Sequence, residues 1–149
     1  MCGFAGILND SKLSSKDQVS RIAGCVSFRG PDSTGVRVFN ENFQQAEIGT
    51  SAVFFNRLAI IDLDTRSDQP FENDRYLLVF NGEIYNYKDL RRKLEGQGVR
   101  FATTSDTEVL FHSLIQFGVK ALTLLNGMFS FCFIDKQKGK FLLSRDRLG

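Results

Sequence analysis

The residue with the most chemistry on offer is Cys2. A small second residue permits removal of the initiator methionine, and removal would leave Cys2 at the terminus, with its thiol and a free α-amine on one residue. An α-amine titrates close to neutrality, so a useful fraction is free base and takes the thiol proton, directly or through one water. The plain alternative is a small residue in a terminal strand. A second candidate is Asn81-Gly82 within Asn81-Gly82-Glu83-Ile84-Tyr85-Asn86. A side-chain amide beside a backbone N–H that no Cβ obstructs makes a two-donor oxyanion hole. The same dipeptide is also a strong hairpin turn. Arg57 enters the apolar segment Leu58-Ala59-Ile60-Ile61-Asp62-Leu63. There a guanidinium is either a surface charge at a strand start or a bidentate clamp for a carboxylate. Ser105-Asp106-Thr107-Glu108 has capping-box spacing, which uses Ser105 and Glu108 and leaves Asp106 to hold an ammonium group.

Each feature alone has a bland structural account. Together they describe a pocket for a zwitterionic amino acid, equipped with a nucleophile and an oxyanion hole. The rest of the composition narrows the chemistry. His112 is the single histidine, so a His-rich zinc site is excluded and the general base is expected elsewhere. Cys2, Cys25 and Cys132 are odd in number and lack metal-ligand spacing, which points to a reducing, cytoplasmic setting without a disulfide framework.

The chain has 149 residues, enough for one domain, with 42% hydrophobic and 24% charged residues. Lys+Arg 19 against Asp+Glu 17 gives +2, with no basic run interleaved with aromatics, so a nucleic-acid partner is not expected. No apolar run approaches the roughly 18 residues that cross a bilayer, and no membrane partner is expected.

The elements that must position these residues follow from pattern. Cys2 to Leu8 reads as a strand. Ser15-Lys16-Asp17-Gln18 is a capping box for a helix whose stripe is Val19, Ile22, Ala23 and Val26. Gly30-Pro31 is a turn. Gly35 to Phe39, Ala46 to Phe55 and Leu58 to Leu63 read as strands, as does Tyr76 to Phe80, closed by the Asn81-Gly82 turn pair. Asn86 caps a helix ending at Gly98, and the second capping box starts another at Ser105. A short helix over Val119 to Leu125 leads to a hairpin of Phe129 to Phe133 with Phe141 to Leu143. Strands and helices fall in blocks, an α+β arrangement with helices on sheet faces.

These residues resemble the glutaminase domain of asparagine synthetases, class II glutamine amidotransferases with an N-terminal nucleophile. The resemblance covers essentially the whole chain. It rests on Cys2-Gly3-Phe4-Ala5-Gly6, Arg29-Gly30-Pro31-Asp32 with Gly35, Arg57 to Leu63, Gln69-Pro70, Asn81 to Asn86, Ser105 to Glu108, Leu125 to Phe129, and Ser144 to Gly149. The form Asn-Gly-Glu-Ile-Tyr-Asn separates it from glucosamine-phosphate synthase and amidophosphoribosyltransferase relatives. The resemblance implies a four-layer αββα sandwich of the N-terminal nucleophile hydrolase type. It implies Cys2 as nucleophile with its amine as base, Asn81 and Gly82 as the oxyanion hole, and Arg57 on the glutamine carboxylate. Asp106 and Glu83 would lie near the ammonium, and Leu58, Ala59, Ile60 and Ile61 would give backbone contacts.

The implied partners are L-glutamine and a synthetase domain or subunit that accepts ammonia, with a homodimer left open. No cofactor is implied for this domain; ATP and magnesium belong to the synthetase, whose pyrophosphatase loop is not in this sequence. Two departures stand out. Family members carry a histidine one or two places before the Arg-Leu pair, where Phe55 and Asn56 stand here. The sequence also stops before the family's last glutaminase strands, so a C-terminal truncation is expected, with an unpaired sheet edge and no asparagine made by this polypeptide alone. A non-catalytic remnant or glutamine-binding module docking on a synthetase, or an amidotransferase for another acceptor, are the alternatives.

Overall fold

The computed structural model describes residues 2–10, 12–59 and 65–148. Two antiparallel sheets stack face to face. The first has the order β1 (Gly3–Ile7), β5 (Ser51–Arg57), β3 (Ser33–Phe39). The second has the order β6 (Phe71–Glu72), β7 (Tyr76–Ile84), β8 (Gly127–Asp135), β9 (Lys140–Arg145). A two-stranded ribbon, β2 (Ser14–Ser15) with β4 (Ile48–Gly49), forms a small sheet of its own, with Gly49 close against the Phe39 carbonyl of β3.

Strand alternation builds the layers. On β5, Val53 and Phe55 face the second sheet, whose β7 and β8 contribute Leu77, Val79, Cys132 and Ile134 to one buried inter-sheet core. Ala52 and Phe54 face the other way, against Val19 and Ala23 of helix α1 (Lys16–Cys25). On the far side of the second sheet, Leu78, Phe80, Phe131 and Phe133 pack on helices α2 (Tyr87–Glu95) and α3 (Asp106–Phe117). The order helix, sheet, sheet, helix is the αββα sandwich that the resemblance implies. Phe55 is fully buried at its centre, and truncation to alanine there costs about 3–5 kcal/mol.

Local readings are corrected at several points. Asn81-Gly82 does not close a hairpin: β7 runs straight through it to Ile84, paired with β8 in the register Asn81↔Ser130 and Gly82↔Phe129. Tertiary pairing overrides the turn propensity, and Gly82 is needed for a different reason. Its φ is +144°, and a Cβ there would meet the Met128 carbonyl oxygen at 2.0 Å. Leu58 and Ala59 leave the sheet at the end of β5, and the remainder of the strand expected over Leu58 to Leu63 falls on residues 60–63, outside the described residues.

Ala46 to Phe55 is split into the ribbon strand β4 and β5. The capping box at Ser15 and Gln18 forms with both hydrogen bonds. At Ser105 only half of one forms, because the Glu108 carboxylate accepts from the Ala102 and Thr103 backbone N–H groups instead. Asn86 stands at the N-cap position of α2, but its side chain makes no cap bond; its amide donates to the Leu124 carbonyl and its oxygen accepts from the Asn126 N–H. Helix α2 stops at Glu95 rather than Gly98, and Gly118–Thr123 is a 3-10 segment.

Candidate active site

A cleft of about 1290 Å³ opens between the ends of the two sheets. It brings together Cys2, Arg57, Leu58, Asn81, Gly82, Glu83 and Asp106. The strand period explains the convergence. Arg57 follows Val53 and Phe55 on the inner face of β5, and Asn81 follows Leu77 and Val79 on the inner face of β7. Each is the polar continuation of an apolar row, placed where the inter-sheet core stops.

Cys2 lies immediately before β1, whose Gly3 pairs with Asn56 of β5. The register brings its sulfur to the end of β5, where the Leu58 N–H donates to Sγ at 3.2 Å. The Arg29 guanidinium donates to the Cys2 carbonyl at 3.4 Å. Asp32, in the same Arg-Gly-Pro-Asp turn, donates its backbone N–H to the Arg57 carbonyl and accepts the Ala59 N–H at 2.7 Å. The turn therefore braces both the nucleophile candidate and the strand end bearing the arginine. It also engages the Ala59 N–H. Ile60 and Ile61 lie outside the described residues.

Arg57 is buried, and its Nη1 donates to Asp68 Oδ1 at 2.6 Å. Asp106 is buried in the first turn of α3, and its Oδ2 accepts the Ile84 N–H at 3.0 Å. It is thus engaged with backbone rather than free, as the capping pattern alone would have it. Burial pushes its carboxyl above the ordinary range, the Glu83 charge adds to that rise, and the N–H groups of Ile84, Thr107 and Asp106 itself oppose it. Among the described residues neither Asp106 nor Glu83 has an ion-pair partner. Two acidic side chains on one cleft wall, one of them desolvated, form a site that a cation would relieve. Asn81 likewise makes no side-chain hydrogen bond within the described chain.

The other nucleophiles and the histidine stand elsewhere. Cys132 lies in the inter-sheet core, where burial pushes its thiol up to about 11. Cys25 is exposed at the end of α1. His112 packs edge-on to Phe101 and Phe111 at ring distances of 5.2 and 5.6 Å, and is absent from the cleft wall. At the positions of the family histidine, Phe55 fills the core, while Asn56 donates to the Ala23 carbonyl and accepts from Thr34 on the α1 side. Neither presents a polar group to the cleft.

Sequence reasoning gave no role to Ser67 and Gln69, which line the same wall. Among the described residues, Ser67 Oγ is buried without a hydrogen-bond partner. The Gln69-Pro70 pair was visible in sequence, but only the fold shows what its amide touches. Among the described residues no group of three His, Cys, Asp or Glu side chains is placed to hold a metal ion, and no helix is long and apolar enough to cross a membrane.

Comparison with known proteins agrees with this architecture. The chain is 36% identical over its whole length to a putative glutamine-hydrolysing asparagine synthetase 2 of Methanocaldococcus jannaschii, covering 30% of that protein. It is equally 36% identical over its whole length to the glutamine-hydrolysing asparagine synthetase 3 of Bacillus subtilis, covering 24% of it. The chain therefore spans under a third of the length of these relatives. Among solved structures, the glutamine phosphoribosylpyrophosphate amidotransferase of B. subtilis, complexed with ADP and GMP, superposes with a TM-score of 0.75 at 22% identity, over 98% of this chain and 37% of that one. An allosteric regulatory enzyme of purine biosynthesis matches with a TM-score of 0.78 at 21% identity, over all of this chain and 38% of that one. These two show the fold. The family model described as a glutamine amidotransferase domain matches residues 1–149, and the chain belongs to that family.

Proposed function

We propose that this chain hydrolyses the side-chain amide of L-glutamine to glutamate and ammonia, with Cys2 as nucleophile. The observation that carries the reading is the cleft itself. One sheet end supplies Cys2 and Arg57, the other supplies Asn81, Gly82 and Glu83, and α3 adds Asp106. A single amino acid bound there meets a cation for its carboxylate, two acids for its ammonium, and a thiol for its side chain.

In the proposed reaction, removal of Met1 frees the Cys2 amine, which takes the thiol proton. Sulfur bonds to the amide carbon of glutamine as the carbonyl pair moves onto oxygen. The Asn81 amide and the Gly82 N–H receive that charge, each donor contributing about 2.7–4 kcal/mol at the transition state. The C–N bond then breaks, the protonated amine returns its proton to nitrogen, and ammonia leaves a γ-glutamyl thioester. Water adds to the thioester through a second tetrahedral species, the C–S bond breaks, and glutamate and the thiol are released. Arg57 and the Asp106–Glu83 pair fix the two ends of the substrate, so its amide is presented to sulfur without a further loss of orientational freedom.

The similarity to glutamine-hydrolysing asparagine synthetases supports a role as the ammonia-supplying part of such a system. Ammonia would pass to a synthetase domain or subunit that activates aspartate with ATP and magnesium, in the cytoplasm. The test is glutamate release from L-glutamine by the processed protein beside Cys2→Ala. The reading expects release that the variant abolishes; equal rates would end the claim for Cys2, and no release in either would leave a binding module.

A further inference from the structure

We infer that Gln69 is a positioning residue of this cleft, whose side-chain amide sets the spacing between the carboxylate clamp and the oxyanion hole. The inference deepens the proposed glutamine reading and rests on it. The Gln69 amide lies against β7 as if it were one more strand residue. Its Oε1 accepts the Phe80 N–H at 2.6 Å, and its Nε2 donates to the Phe80 carbonyl at 2.9 Å. Phe80 directly precedes Asn81. The same Nε2 lies 3.5 Å from Thr107 Oγ1, and Thr107 directly follows Asp106. Gln69 itself directly follows Asp68, the ion-pair partner of Arg57. One buried amide therefore joins the segments that carry the clamp, the oxyanion hole and the acid at the ammonium end.

The backbone is built to bring this amide close. Gly35 of β3 faces the Gln69 carbonyl, and a Cβ there would stand 2.0 Å from that oxygen. The segment is thus held between β3 on one side and β7 on the other. A hydrogen-bonded pair of this kind, shut away from water, admits one donor and one acceptor in fixed order. A leucine would fill the space and leave the Phe80 N–H and carbonyl unpaired. A glutamate, when ionised, offers two acceptors to a site that needs a donor at the Phe80 carbonyl; when protonated it restores the pattern of glutamine.

The test uses the intact chain, freed of Met1, with Gln69→Leu and Gln69→Glu. Two reagents report on Cys2: iodoacetamide, which needs only the thiol, and 6-diazo-5-oxo-L-norleucine, which must also dock its α-carboxylate and ammonium. Gln69→Leu is expected to retain iodoacetamide labelling of Cys2 while diazo-ketone labelling falls by about a hundredfold, the loss typical of a site displaced by an ångström. Gln69→Glu is expected to recover labelling by the diazo-ketone, relative to the wild type, as pH is lowered. Unchanged diazo-ketone labelling in both folded variants would overturn the inference and leave the glutamine reading standing. A wild-type protein that the diazo-ketone does not label at Cys2 would overturn both. If the leucine variant does not fold, the pH dependence of Gln69→Glu decides alone: a flat ratio to wild type overturns the inference.

Discussion

Cys2 Sγ accepts a hydrogen bond from the backbone N–H of Leu58 at 3.2 Å, which places the sulfur one residue from Arg57 at the end of the inner strand β5. The relationship ties the nucleophile candidate to the clamp candidate through main chain rather than through a mobile side chain. Strand register enforces it, because Gly3 pairs with Asn56. The cleft thus inherits its geometry from the two sheets, and its candidate roles can be probed one at a time.

Asn81→Ala removes a side chain that makes no hydrogen bond within the described chain. Thermal stability should therefore stay close to wild type. If the amide meets the oxyanion, kcat for glutamine hydrolysis should fall by about 10²–10³-fold with little change in KM. A kcat at the wild-type level would remove Asn81 from the oxyanion hole.

Arg57→Lys keeps the charge but loses the planar fork that a carboxylate matches. Loss of a charge-assisted contact of about 1.5–3 kcal/mol should raise KM for glutamine by roughly ten- to a hundredfold. Steady-state kinetics with glutamine give the answer, and an unchanged KM would place the carboxylate elsewhere.

Asp106 carries a pH signature. Its carboxyl is raised in the folded state, chiefly by burial, so between its ordinary value of 3.8 and that raised value the folded protein holds more protons than the unfolded chain. The penalty for ionising it is absent below 3.8 and grows as pH rises toward the raised value. Asp106→Asn should therefore gain in stability relative to wild type as pH rises from 3.8, and the gain should fade on acidification toward 3.8. Chemical denaturation across that range measures it. Glutamine affinity should move the opposite way: the wild type weakens as Asp106 protonates, and the variant is weak throughout.

His112 is lowered by burial, with Glu108 pulling the other way, and it stands off the cleft wall. His112→Phe should leave the pH–rate profile of glutamine hydrolysis unaltered. The folded state disfavours the charged ring, so this residue contributes a loss of stability as pH drops below its ordinary value of 6.5. The variant should lose less stability over that window. A changed rate profile would return the histidine to the mechanism.

The candidate site was legible in the sequence through residue type and motif, whereas the apolar rows that its residues end alternate only once the strands pair, since 53–55 and 76–80 read as continuous apolar runs. In the fold Arg57 ends the inward row of Val53 and Phe55, and Asn81 ends that of Leu77 and Val79. The capping signal at Ser15 was equally local and held. What failed depended on distant partners. Asn81-Gly82 carries turn propensity, yet pairing with Ser130 and Phe129 keeps it in a strand. Glu108 serves the Ala102 and Thr103 N–H groups rather than the box its spacing suggests. Asp106 has a backbone partner 22 residues away at Ile84, which no local rule reveals. Gln69 is the clearest case: its motif was visible, but its two bonds to Phe80 exist only once β7 is in place.

The central claim is that sulfur and a free amine on Cys2 together perform the hydrolysis. The most direct measurement is the mass of the N-terminal peptide from a preparation with assayed glutaminase activity. The account predicts a peptide beginning at Cys2 with an unmodified amine, in proportion to the activity. Full activity in protein that retains Met1 would contradict it.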